Sequence, residues 1–328
     1  MPASNLTASG AGVAASKRRP LWDELPAPAR AQIEHLIASP VVTTHNCAGG
    51  FSPGFASLLT LADGRRAFVK AMDSDAWPSQ ALMHRAEARV AAALPSSIPA
   101  PRFLGSSDDG HWVALAFEGI DGTEPAQPWN LTDLDRVLAA IGQLAKAGTS
   151  SPIVLPRDHP RLGGWASLAH DTSWRARLPA CSAWAASYLP LLIRLEDEGL
   201  AAAQGPSLVH FDMYPHNILL TTDRVLFADW PHARLGAPFI DLLLLLPSAA
   251  ARGIDPEPIL ARQPLTAGIE PHAINAVLAA HAGFCVAGAL LPAPPGLEPI
   301  TGAKLSLGRA TIKWLARRIV SKGKSTTT

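Results

Sequence analysis

The sequence predicts an α+β chain of two lobes, an N-terminal antiparallel sheet with one helix followed by a mainly helical C-terminal lobe. Three observations carry this. Short β-rich runs at 41–47, 55–61, 66–71 and 111–117 surround one stretch, Ser79 to Leu94, whose Leu82, Met83, Ala86, Val90 and Leu94 recur at helical spacing. From Asn130 onward the periodicity is almost entirely helical. Between those helices sits His210-Phe211-Asp212-Met213-Tyr214-Pro215-His216-Asn217, followed twelve residues later by Asp229. The lobe boundary is placed near 119, giving an N-terminal lobe over 21–118 and a C-terminal lobe over 119–320, with disordered tails at 1–20 and 321–328.

Taken in order, Leu21 to Ile37 reads as a helix with Trp22, Leu25, Ile33 and Leu36 on its apolar face; Pro26 and Pro28 place its regular part near Pro28. Gly49, Gly50, Ser52 and Gly54 then lie between two β-rich runs, where glycine lets backbone N–H groups approach phosphates. A plain glycine hairpin has the same appearance. Lys70 ends the third strand, and Glu87 abuts the apolar stripe of the following helix. A carboxylate aimed inward requires a partner. Lys70 is the nearest candidate, with Arg85 and Arg89 as surface alternatives. Arg102 to Gly105 reads as a lead-in to the last strand of the lobe, His111 to Phe117.

In the second lobe, Leu131 to Ala147 carries Leu134, Val137, Leu138, Ile141 and Leu144 on one face. Pro152 to Gly164 reads as loop, and Ala180 to Leu200 as one helix entering the catalytic segment. Ile218-Leu219-Leu220 and Val225-Leu226-Phe227 flank Thr221 to Arg224 as a β-hairpin, which folds Asn217 and Asp229 together. Helices follow near 240–250, 271–290 and 301–320, the last two separated by a turn at Pro292 to Gly296.

These residue types suit phosphoryl transfer, which needs positioning, metal charge and one base near the acceptor oxygen. Asp212 can receive a hydroxyl proton, and the Asn217 amide oxygen and Asp229 carboxylate can share Mg²⁺. Singly, Asp212 and Asn217 also suit turn capping, and Asp229 a strand end. As an ordered set the stretch resembles the catalytic block of the aminoglycoside phosphotransferase and choline-kinase-like family, a branch of the protein-kinase-like fold. Asp229-Trp230 stands where protein kinases have D-F-G, and Pro238-Phe239-Ile240-Asp241-Leu242-Leu243 resembles the family's next segment. The glycine run departs from the protein-kinase pattern. The resemblance implies ATP as co-substrate, a Lys70–Glu87 pair orienting its phosphates, His210 orienting the catalytic loop, and Asp241 bracing it.

Bulk properties bound the alternatives. A net charge of +1 over 328 residues gives no electrostatic case for nucleic acid or an acidic membrane. Cys47, Cys181 and Cys285 match neither a disulfide framework nor a zinc pattern, and no secretory leader is evident, so a cytoplasmic enzyme is expected. Over 251–328 the chain has four acids against nine bases, the wrong sign for a polycationic drug, although Asp133, Asp135, Glu196, Asp197 and Glu198 lie elsewhere in the lobe. The expected acceptor is therefore a small, neutral or weakly charged hydroxylated metabolite or antibiotic-like natural product. Two rival readings are a metal-dependent phosphohydrolase, with His210, Asp212, His216 and Asp229 as ligands, and a nucleotide-binding pseudokinase.

Overall fold

In this computed structural model the described residues are 19–47, 49, 52–149, 153–291 and 299–323. Gly50, the turn at Pro292 to Gly296 and most of both expected tails lie outside them. A 3₁₀ turn at Trp22–Glu24 precedes α1 (Ala27–Ile37), with Pro28 in its first turn as expected. Then come β1 (Val41–Asn46), β2 (Phe55–Leu61), β3 (Arg66–Asp73), α2 (Pro78–Ala93), β4 (Phe103–Asp108) and β5 (Trp112–Glu118). The five strands form one antiparallel sheet in the order β1-β2-β3-β5-β4.

Strand alternation sets the site. Ala67, Val69 and Ala71 point from β3 toward Ile33 and Ile37 of α1 and are fully buried there. Phe68, Lys70 and Met72 consequently face the opposite side, where Ala81 and Ala88 of α2 pack. Lys70 thus lies on the same face as Glu87. The lead-in expected at 102–105 is instead part of β4. Gly105, Ser106, Ser107 and Asp108 are poor strand formers, and pairing with β5 makes them an edge strand.

The remainder comprises α3 (Leu131–Thr149), α4 (Trp165–His170), α5 (Thr172–Cys181), α6 (Ala183–Ser187), α7 (Leu189–Ala202), β6 (Ser207–Val209), β7 (Ile218–Leu220), β8 (Val225–Phe227) and β9 (Arg234–Gly236). After these come α8 (Ile240–Ala250), α9 (Pro256–Arg262), α10 (Pro271–Leu290) and α11 (Pro299–Gly323), the last running three residues beyond its expected end. The single helix expected over 180–200 is broken. Ser182 leaves helical geometry and its side chain accepts from Ala185 N, starting α6 afresh; Pro190 then sits in the first turn of α7. Pairing of β6 with β9 and of β7 with β8 brackets residues 210–217.

Helix α10 is apolar on every side. By length and composition it is the one described helix able to cross a membrane, yet 83% of its most apolar window is buried inside the protein, against α7 and α11 among others. The leucines Leu242 to Leu246 of α8 are likewise buried.

Candidate active site

The chain turns sharply after β6. Phe211 adopts a left-handed φ of 66°, which costs a non-glycine residue. Asp241, at the start of α8, holds this turn: its two carboxylate oxygens accept from His210 N at 2.8 Å and Phe211 N at 2.9 Å. Burial pushes the Asp241 pKa up to about 6 against these two donors. An Asp241→Asn protein keeps one acceptor and turns an NH₂ group toward the other N–H. It is expected to lose about 1–3 kcal/mol in denaturant unfolding at neutral pH; an unchanged midpoint would show that the brace is dispensable.

His210 is fully buried, and burial pushes its pKa down, so it is neutral. Its Nδ1 accepts from Asp212 N at 3.3 Å, which leaves Nε2 to donate to the Ala228 carbonyl at 2.9 Å. Both ring nitrogens are therefore engaged in the loop. Asn217 donates through Nδ2 to the Asp212 carbonyl at 2.9 Å and to its Oδ2 at 3.3 Å, which turns Oδ1 away from the loop. Across the hairpin, Ala228 N donates to Asn217 O at 2.8 Å and sets Asp229 beside Asn217. Asp229 has a left-handed φ of 67°.

Lys70 is ion-paired with both Glu87 and Asp229, the latter at 2.8 Å. Glu87 is only 2% exposed, and burial drives its pKa up despite Lys70. Burial acts the same way on Asp229, but there the Lys70 ammonium prevails and holds the carboxyl below the ordinary range. Arg85 does not compete, being bound to Asp108 at 2.7 Å. A cavity of about 490 Å³ opens between the sheet and the hairpin, lined by Gly49, Ser52, Lys70, Glu87, Asn217 and Asp229 among others. Gly54 does not face it: a side chain there would collide with the Ala71 carbonyl and Met72, so this glycine permits close strand packing. Arg19, expected in a disordered tail, lines the cavity and donates to the Gly49 carbonyl.

Asp212 is buried. Its Oδ2 binds Arg161 Nη2 at 2.8 Å, while Oδ1 is enclosed with no hydrogen-bond partner among the described residues. Burial raises its pKa, with Arg161 opposing. Sequence reading passed over Arg161, which sits in the proline- and glycine-rich stretch before α4. The loop is delivered there by His159, stacked on Phe211 at 5.2 Å, and by Gly164, where a Cβ would press on Gly283 of α10. The nearest signal in the sequence was the Gly163-Gly164 pair itself.

A profile of the phosphotransferase enzyme family matches residues 47–274, well over half of the chain. The chain belongs to that family. Membership makes it an ATP-dependent phosphotransferase acting on hydroxyl groups, a small-molecule kinase. Solved structures agree on the protein-kinase-like fold. Choline kinase LicA from Streptococcus pneumoniae is 13% identical with a TM-score of 0.60, over 88% of this chain and 97% of that one. A thermostable mutant of aminoglycoside phosphotransferase APH(4)-Ia, in ternary complex with ADP and hygromycin B, is 14% identical with a TM-score of 0.56, over 89% and 99%. An aminoglycoside phosphotransferase from Alicyclobacillus acidocaldarius is 16% identical with a TM-score of 0.50, over 92% and 96%. No curated protein matches. Both ring nitrogens of His210, a ligand in the phosphohydrolase reading, are engaged with Asp212 N and the Ala228 carbonyl, which counts against that reading.

Proposed function

We propose that the enzyme transfers the γ-phosphoryl group of ATP to the hydroxyl of a small metabolite or antibiotic-like natural product, with Asp212 as the base. The observation that carries this is the buried, unpartnered Oδ1 of Asp212 beside the Asn217–Asp229 pair. An enclosed carboxylate oxygen without a donor is costly, and an acceptor hydroxyl would supply one. Residues 21–118 then bind the nucleotide phosphates and 119–320 carry the catalytic loop and the acceptor, in a cytoplasmic protein.

Lys70, held by Glu87, would contact the α- and β-phosphates, with the backbone around Gly49 and Ser52 covering them. Glu118 and Ile120 also line the cavity, where the chain crosses between lobes and adenine would meet main chain. Asn217 and Asp229 offer hard oxygen donors that would hold Mg²⁺, and the ion would supply charge neutralisation to the phosphates. His210 fixes the loop and touches no reacting atom. A polycationic acceptor is not supported: Glu196 is committed to Trp165 N at 2.6 Å, Asp135 pairs with Arg262, and Glu198 with His272.

Thermal unfolding with Mg·ATP tests the reading. At 100 times its dissociation constant the nucleotide should add about 2.7 kcal/mol to the native state, and Asp229→Ala should abolish the metal-dependent part. Absence of a shift with ATP, together with stabilisation by Zn²⁺ alone, would overturn it.

A further inference from the structure

We infer that the acceptor is an alcohol that also bears an anionic group, a carboxylate or a phosphate, held by Arg161 and Lys304 against Phe284 while its hydroxyl faces Asp212. This rests on the kinase reading above.

Two cations, Arg161 and Lys304, meet beside the Asp212 carboxylate. Arg161 reaches in from the loop before α4, with its side chain 15% exposed. It spends Nη2 on Asp212, and its Nε is buried without a hydrogen-bond partner among the described residues. Guanidinium has five donors in a fixed fork, so this side chain retains capacity for a second oxyanion. Lys304 comes from α11, is half-buried, and has no carboxylate or hydrogen-bond partner among the described residues. Its Nζ lies 4.9 Å from the centre of the Phe284 ring, and the same ring has Arg161 Cζ at 5.4 Å. Ring contact alone compensates a partly desolvated ammonium weakly. Burial and then the like charge of Arg161 lower the Lys304 pKa, and the Asp212 carboxylate opposes them without offsetting them.

The position is provided for in the backbone. A Cβ on Gly288 of α10 would lie 2.8 Å from Lys304 Nζ, so the absence of a side chain there lets the lysine lie along α10. Acids that could reverse the sign are committed elsewhere: Glu196 to the start of α4, Glu257 to Arg318 at 2.6 Å. Nor are the cations needed for ATP, since neither Arg161, Tyr214, Phe284 nor Lys304 lines the nucleotide cavity. A cationic acceptor would be repelled here; an anion supplies the missing counter-charge.

The test uses the full chain with Mg·AMP-PNP and sets of small alcohols matched in scaffold, each in neutral, carboxylate, phosphate and amine form. Thermal shift ranks binding, and ADP release with Mg·ATP ranks turnover. The anionic members are expected to lead, and the carboxylate and phosphate arms separate the two headgroups. Lys304→Met should weaken the best anion by roughly tenfold or more and leave the nucleotide shift intact. Gly288→Val, which keeps the charge but displaces it, should weaken the anion too, and Lys313→Met, on the exposed face of α11, should not. Neutral or cationic leaders, or no anionic hit although Mg·ATP stabilises the protein, would overturn the inference and leave the kinase reading standing. Failure of Mg·ATP itself to stabilise would overturn both.

Discussion

Asp212→Asn is expected to lower acceptor-dependent ADP release by roughly 10²–10⁴-fold with nucleotide affinity unchanged. The substitution suits the geometry. The Asn amide oxygen can take the place of Oδ2, where Arg161 and Asn217 both donate, and the NH₂ group then occupies the place of Oδ1, where nothing donates. Shape and surrounding hydrogen bonds are kept, and only the proton-accepting oxygen is lost. Thermal melting would establish that the fold is intact, and a Mg·ATP-induced shift equal to wild type would establish that the nucleotide site is. A variant that turns over normally would remove Asp212 from the role of base. Since burial raises the pKa of this carboxyl and Arg161 opposes the rise, wild-type turnover should fall on acidification at a pH above the ordinary aspartate range.

What the sequence disclosed follows a physical line. The candidate catalytic stretch was legible because it is local: His210, Asp212 and Asn217 lie on one short segment, and hairpin periodicity over 218–227 is enough to return Asp229 beside them. Lys70 and Glu87 were legible as a pair because an inward carboxylate on an apolar helix face demands a cation. Edge strand β4 was hidden, since its pairing with β5 and not its composition makes it a strand. The segmented helices α4 to α6 were hidden for a related reason: Asp171 and Ser182 act there as N-caps, and each starts a short helix that periodicity alone cannot separate from its neighbour. Arg161 and Lys304 lie far apart in sequence, and packing around α10 alone brings both to Phe284. Charge counting over the C-terminal helices gave an excess of bases without their positions.

Lys70→Met is expected to cost about 3–5 kcal/mol in unfolding at pH 8 without nucleotide or metal, because it strands Glu87 in the interior and leaves Asp229 without its nearest cation. The loss should shrink on acidification. Lys70 is what pulls the Glu87 pKa down, so in the variant that pKa rises beyond its wild-type value of about 7, while the unfolded chain titrates near 4.3. A group whose folded pKa is raised contributes stability that is fully present below the unfolded value and lost as pH climbs through the folded one. Between pH 5 and pH 8 the variant should therefore weaken steadily as Glu87 is forced to ionise. Adding Glu87→Gln removes that titration, so the double variant should recover much of the loss at pH 8 and show a flatter profile. A single variant as stable as wild type at pH 8, with no added pH dependence, would mean that Glu87 finds another partner and that the ammonium is held in place by Asp229 alone. The proposed reaction would draw on the same arrangement: a lysine that two carboxylates fix at the cavity wall is already desolvated, so little ordering would be left to be done if phosphates bind there.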